Sequence, residues 1–192
     1  MTCIIGIKDK DGCLWMGADS LGSNGYSKGV DKQPKIFKSK DTDNVLIGST
    51  GTFRQLQLLR YSKIFPEVDL AKKEKLDHEY MVTKFIPELQ KVFSRGGVEE
   101  IYKGIKSGGT FLIGHKDCLF KVQSDYSVLE SADDYDACGS GEYFALGSLY
   151  STKHLKPKER IIEALKAAEH SSCGVQRPFV IINTNGEYEK IE

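Results

Sequence analysis

The sequence predicts an α+β fold: a four-layer αββα sandwich of two antiparallel β-sheets flanked by helices, in a single domain spanning residues 1–192. Three observations lead there. The elements run strands, two helices, strands, two helices, strands, which is not the alternating βα rhythm of a parallel doubly wound sheet. The strand runs follow one another through short turns, as antiparallel neighbours do. A chain of 192 residues suits one domain of ~100–200 residues, and at that size roughly 70% of the unfolded surface is buried without disulfide or metal staples.

Taken in order, residues 2–8 (TCIIGIK) are apolar and β-branched and end at the turn signal Asp9-Lys10-Asp11-Gly12. With the apolar run 13–18 (CLWMGA) they read as a β-hairpin that begins at the second residue. Residues 20–33, rich in Gly, Ser, Asn and Lys, read as a loop. PKIFK (34–38) and NVLIGS (44–49) read as strands around the turn KDTD. The period then changes. Phe53, Leu56, Leu58, Leu59, Ile64 and Phe65 approach helical spacing over 52–65, with Thr52 as a cap. Tyr80, Met81, Phe85, Ile86, Leu89, Val92 and Phe93 give a second amphipathic helix over 77–94, with Asp77 as N-cap and Gly96-Gly97 as stop. Pro87 inside it predicts a kink or a boundary between two helices.

Strands return with TFLIGH (110–115), CLFKVQ (118–123) and YSVLE (126–130), a meander, and YDACGSG (135–141) runs into a Gly-rich turn. Helical patterns cover 141–151 and 157–170, the latter opened by Pro157 near its first position. The chain closes with a hairpin signalled by Asn185-Gly186. The Lys-rich segment 72–75 reads as a solvated face or loop.

Composition narrows the function classes. Twenty-seven basic and 27 acidic residues give a formal net charge of zero, so nothing pulls the chain as a whole toward nucleic acid or an anionic membrane. Low charge also lowers one barrier to self-association. The five cysteines (Cys3, Cys13, Cys118, Cys138 and Cys173) are odd in number, scattered and without a CxxC pair, which disfavours a disulfide framework or zinc ribbon and suits a reducing cytosol. The start lacks a basic n-region and a long apolar run, so it is no signal peptide, and no stretch nears the ~20 apolar residues of a membrane span. The expectation is a soluble, cytoplasmic protein that binds neither nucleic acid nor membrane. GxGxxG, P-loop and HExxH signatures are absent, and the four histidines lie far apart, which argues against a metal site built on them.

The chemistry-bearing feature is the start of the chain. Met1 before a small residue is a common target for removal, and its loss would leave Thr2 with a hydroxyl and a free α-amine on one residue. That amine, with an ordinary pKa of ~7.7–8.0, suits a general base for the neighbouring hydroxyl. Alone, Met-Thr is an ordinary start. Three features add weight. Thr2 enters a strand at once, Asp19 follows the apolar run ending GADS, and Lys35 lies in PKIFK, where a partly buried ammonium would lower the hydroxyl's pKa and pair with Asp19. Read singly, Asp19 is a turn former and Lys35 a solvent-facing strand residue.

Assembled, these residues resemble the N-terminal nucleophile hydrolases, in particular the proteasome β-subunit and HslV peptidases. The likeness runs nearly the whole chain through MTCIIGIKDKDG, GADS, PKIF, GSTG, ACGSGEYFALG and EALKAAEHSSCGV, and the sixteen-residue interval from Asp19 to Lys35 matches the family's. The resemblance implies Thr2 as nucleophile, Lys35 tuning its pKa, Asp19 holding Lys35, and Ser140 orienting the α-amine and relaying a proton. It implies the Gly48 N–H as oxyanion donor, with Gly51 as the alternative, and Glu169, Ser172 and Gly141 packed around the site. Ser140 and Gly141 read alone are a strand-to-helix turn with an N-cap serine. The first hairpin is one residue longer than the family's between Thr2 and Asp19. Glu169 stands where active proteasome subunits carry Asp, and no propeptide is expected before Thr2, as in HslV.

The implied function is a threonine endopeptidase acting on peptide or unfolded-protein substrates, assembled as a homo-oligomeric ring or spiral and served by an AAA+ unfoldase ATPase. Two other classes fit the same residues: an amidase for small-molecule amides, and an inactive structural subunit. No cofactor is required; the resemblance also raises a structural Na+ or Mg2+ bound by backbone carbonyls of Ser172 and Val175.

Overall fold

In a computed structural model, residues 1–42, 44–66, 76–116 and 118–192 are described. The segment 72–75 lies outside them, as does residue 43 of the turn KDTD. In chain order the elements are β1 (Cys3–Lys8), β2 (Leu14–Ala18), β3 (Leu21–Ser23), β4 (Lys28–Val30), β5 (Ile36–Lys38), β6 (Val45–Ser49), α1 (Phe53–Tyr61), α2 (His78–Tyr80), a π-helical turn (Met81–Phe85) and α3 (Ile86–Arg95). They continue with β7 (Glu100–Tyr102), β8 (Ile105–Ser107), β9 (Phe111–His115), β10 (Cys118–Val122), β11 (Val128–Glu130), β12 (Tyr135–Gly139), α4 (Glu142–Ser151), α5 (Pro157–Ser171), β13 (Phe179–Asn183) and β14 (Tyr188–Ile191).

Two five-stranded antiparallel sheets form, in the orders β12-β1-β2-β13-β14 and β11-β10-β9-β6-β5. The alternation of side chains along β1 explains the layering. Cys3, Ile5 and Ile7 face outward onto Ala145, Leu149, Ile161 and Leu165 of α4 and α5. Ile4 faces the other way, into a core between the sheets with Leu14, Met16, Leu46, Leu112 and Val180. The outer face of the second sheet buries Val45, Ile47, Phe111, Ile113 and Phe120 against Leu56, Leu59, Phe85, Leu89 and Phe93. Helix, sheet, sheet, helix: this is the expected αββα sandwich. Gly114 lets the sheets close, because a Cβ there would lie 1.8 Å from Leu14 Cδ2.

Several boundaries differ from expectation for local reasons. The helix expected over 52–65 stops at Tyr61, because the N–H groups of Ile64 and Phe65 turn to the Asp41 carboxylate at 2.7 and 2.8 Å. Thr52 does cap it: its hydroxyl accepts the Gln55 N–H, and the Gln55 side chain returns the bond. The helix expected over 77–94 widens into a π turn just before Pro87, which has no N–H to donate four residues back. Asp77 caps its start through the Tyr80 N–H at 2.9 Å. Residues 20–33, expected as a loop, carry the small β3–β4 ribbon. A second ribbon, β7–β8, was not anticipated. Tyr126 stands at φ +67° in a turn, so the strand expected from 126 begins at Val128.

Among the described residues, no helix is long and apolar enough to cross a membrane, and no group of three or more His, Cys, Asp or Glu is placed to hold a metal ion.

Candidate active site

Thr2 lies one residue ahead of β1 and is 3% exposed. Its neighbours are fixed by strand pairing. The Thr2 N–H donates to Ser140 Oγ at 3.0 Å. The Thr2 carbonyl accepts the Ser140 hydroxyl at 3.3 Å and the Gly141 N–H at 3.2 Å. Both main-chain groups of Thr2 are thus held by the turn after β12, the partner of β1 in the sheet. Gly139 makes this possible: it stands at φ +101°, and a Cβ there would lie 2.3 Å from the Thr2 carbonyl oxygen.

Asp19 follows β2 directly and is 1% exposed. Its Oδ1 accepts the Cys3 N–H and its Oδ2 the Leu21 N–H, both at 2.9 Å. Lys35 Nζ reaches the same two oxygens at 3.0 and 2.9 Å, so the buried carboxylate is both paired and hydrogen-bonded, the condition under which a buried charge is tolerated. Lys35 stands just before β5, in the other sheet, and its Nζ also donates to Thr2 Oγ1 at 3.0 Å. Burial lowers the Lys35 ammonium below its ordinary pKa; the Asp19 carboxylate pulls it upward but does not cancel the burial. A cation here favours the ionised form of the Thr2 hydroxyl. That hydroxyl also donates to the Met1 carbonyl.

Ser140 is not the N-cap of α4. That position is Gly141, which makes no side-chain cap bond, leaving the serine hydroxyl to Thr2. Ser172 Oγ lies 3.5 Å from Ser140 Oγ and accepts the Gly174 N–H at 3.2 Å. Gly141 packs where a Cβ would meet Cys3, Ala168 and Val175 at 2.8–2.9 Å. Glu169 is turned elsewhere: it accepts the Arg177 N–H at 2.8 Å and lies 3.0 Å from the Arg177 Nε.

The two candidate oxyanion donors fall in different places. Gly48 sits inside β6, paired with Ile36 and Leu112, and its Cα faces Ile4 and Ile36 between the sheets. Thr50 N–H bonds to Thr110, and ladder bonds alternate along a strand, so the Gly48 N–H points along the sheet to Leu112. Gly51 follows the end of the ladder with φ +92°. It lines a pocket of about 310 Å³ with Thr2 and Lys35, walled by Leu21, Phe53 and Leu56. No acceptor among the described residues takes its N–H. Phe53 falls in the stretch 50–53 where the sequence expects the substrate pocket, a strand ending GST followed by a capped helix; Leu21 and Leu56 carry no such signal.

As a cation site the 172–175 turn fits poorly. Mg2+ is usually held through one or two carboxylates with waters completing its octahedron, and Glu169 at the end of α5 is turned to Arg177.

No family profile matches the chain, and no curated protein matches it in sequence. Solved structures do match in shape. BPH of Thiobacillus denitrificans, in complex with epoxomicin, superposes with a TM-score of 0.72 at 20% identity, covering 100% of both chains. Eukaryotic HslV from Trypanosoma brucei gives 0.68 at 15% identity, over 95% of this chain and 98% of that one. The Anbu (Gly-1) mutant from Hyphomicrobium sp. strain MC1 gives 0.66 at 11% identity, over 100% and 87%. At these identities the likeness is one of fold: the chain has the αββα fold of HslV-type and Anbu structures.

Proposed function

We propose that this chain is a threonine-type endopeptidase subunit of an HslV-like, self-compartmentalised protease, cutting peptide bonds with Thr2 once Met1 is removed. The observation that carries the reading is the Lys35 ammonium, 3.0 Å from Thr2 Oγ1 and gripped by both Asp19 oxygens. The freed α-amine, beside Ser140 Oγ, takes the proton of the Thr2 hydroxyl. Oγ1 then bonds to the substrate carbonyl carbon, and the carbonyl oxygen gains negative charge facing the Gly51 N–H, which takes the oxyanion role in place of Gly48. The amine passes its proton to the leaving nitrogen as the C–N bond breaks, giving an ester on Thr2. Water, deprotonated by the same amine, bonds to the ester carbon; the C–Oγ1 bond breaks, the amine returns its proton to Oγ1, and the acid leaves.

A homo-oligomer, ring or spiral, follows from this reading, with an AAA+ unfoldase delivering unfolded protein. The zero net charge and the outward Tyr143 and Tyr150 of α4, 83% and 69% exposed, support self-association. The five cysteines, none of them in a disulfide, support a reducing, cytoplasmic setting.

Intact mass and epoxomicin labelling test the proposal together. The purified protein is expected to lack Met1, and epoxomicin, the ligand of the T. denitrificans BPH structure, to add its mass to the Thr2 peptide. Thr2→Ala is expected to abolish both labelling and peptide cleavage. Retained Met1, or an active Thr2→Ala variant, rejects it.

A further inference from the structure

Gln55 is a polar residue buried on α1, 6% exposed. Its side-chain oxygen accepts the Thr52 N–H at 3.2 Å, its own N–H donates to Thr52 Oγ1 at 3.2 Å, and its side-chain NH2 donates to the Val98 carbonyl at 3.4 Å. The first two bonds are a capping box and satisfy a helix start. Their position adds something else. The Thr52 N–H belongs to the same peptide plane as the Gly51 carbonyl, so Gln55 holds the plane on one side of Gly51. The plane on the other side contains the Thr50 carbonyl and the Gly51 N–H. Ser49, 4% exposed, holds that one: its hydroxyl donates to the Thr50 carbonyl at 3.1 Å. The Gln55 oxygen also lies 2.7 Å from where a Cβ on Gly51 would stand, and 2.8 Å from where one on Gly109 would stand. The carboxamide is wedged between the two glycines.

Glycine has the freest backbone of any residue, and a donor stabilises a developing oxyanion only if it is aimed before the charge appears. We infer that Gln55 and Ser49 are positioning residues that fix the peptide planes on either side of Gly51 and so aim its N–H into the pocket beside Thr2. The inference rests on the threonine-hydrolase reading for its catalytic consequence, and on the geometry alone for the holding of the turn. Val98 extends the hold to the base of the β7–β8 ribbon, which leaves the body after Val98 and returns through Gly108 and Gly109.

The test compares wild type, Gln55→Leu, Gln55→Glu and Ser49→Ala, all with Met1 removed. Leucine fills the space and makes neither bond; glutamate keeps the acceptor for Thr52. Gln55→Leu is expected to lower kcat by about 10- to 100-fold, the scale of a misplaced catalytic group, with KM nearly unchanged. Affinity for a peptide aldehyde, which places an oxyanion on the Thr2 adduct, should fall in the same proportion. Ser49→Ala should follow the same line; Gln55→Glu keeps the bond to Thr52 but sets an acceptor against the Val98 carbonyl, so its rate should fall between wild type and Gln55→Leu. Hydrogen exchange in the peptide spanning residues 49–55 should quicken in Gln55→Leu and Ser49→Ala. A kcat that falls with aldehyde affinity unchanged overturns the inference, as does Gln55→Glu losing as much as Gln55→Leu. If the wild type cleaves no peptide, the hydrolase reading falls and exchange alone decides: quickened exchange supports the hold on Gly51, and unchanged exchange overturns it.

Discussion

Asp19 Oδ1 accepts the backbone N–H of Cys3 at 2.9 Å, so the carboxylate that holds Lys35 also anchors the chain one residue past Thr2. The two tasks separate in Asp19→Asn. The amide keeps one acceptor but no charge, leaving Lys35 a buried cation without its partner. Breaking a buried pair this way costs about 3–5 kcal/mol, so urea denaturation should show a loss of that order together with lost peptide hydrolysis. The double variant Asp19→Asn/Lys35→Met removes the unpaired cation and keeps an acceptor for a backbone N–H, so it should recover part of the stability and none of the activity.

Gly139 should tolerate no side chain. Its φ of +101° and the 2.3 Å approach of a Cβ to the Thr2 carbonyl combine backbone strain with a clash against main chain. Gly139→Ala is expected to cost at least about 1–3 kcal/mol and to lower kcat sharply. Gly29→Ala, with nothing within 4 Å of the added Cβ, is the neutral control in the same denaturation and rate assays.

Ser140 and Glu169 should part company. Ser140→Ala removes the partner of the Thr2 nitrogen; kcat should fall by about 10²-fold or more, the worth of a positioned proton relay, with KM little moved. Glu169→Gln touches only a partly exposed pairing with Arg177. It should cost about 1 kcal/mol or less and leave kcat within a few-fold. Steady-state kinetics and melting curves on both variants check this.

Lys121 on β10 predicts an alkaline limit to stability. It is 7% exposed, with Nζ 2.6 Å from Glu142 Oε1 and 3.4 Å from Asp136 Oδ1, tying one sheet to β12 and the start of α4. Burial acts to lower its pKa, but the hydrogen bond to Glu142 and the charge of Asp136 outweigh burial and hold it above the ordinary 10.5. A raised folded pKa means the stabilisation is complete below 10.5 and is lost as pH climbs through the higher folded value. Unfolding free energy measured from pH 9 upward should begin to decline in wild type as pH passes the ordinary 10.5, and the decline should be shallower in Lys121→Met.

The sheets were legible because their strands are apolar on both faces, squeezed between helices and each other. Cys3, Ile4, Ile5 and Ile7 need no partner in view to read as a buried strand. The β3–β4 and β7–β8 ribbons were not, since Lys28, Gly29, Val30, Glu100, Ile101 and Tyr102 are exposed and no buried face imposes a period. The Lys103-Gly104 turn between flanking apolar residues was the cue for the second. Thr2, Asp19, Lys35 and Ser140 were brought together by the family resemblance that their order along the chain carries, not by any one of them alone. Gly48 and Gly51 could not be told apart that way: which N–H is spent in a ladder depends on strand register, and register is set by the neighbouring strand. Gln55 left a readable mark, the T-x-x-Q of a capping box, but what that box holds depends on where Gly51 lies.

Thr2, Asp19 and Ser140 stand at the ends of strands of one sheet, while Lys35 and Gly51 flank strands of the other. Neither layer owns the chemistry. On the threonine-hydrolase reading, a newly made chain whose layers have not yet met carries a threonine with no ammonium beside it and no turn to face it, so its reactivity waits on the docking of the two sheets. Under that reading the layer contact is itself a switch, since the nucleophile gains its partners only where both sheets are in place.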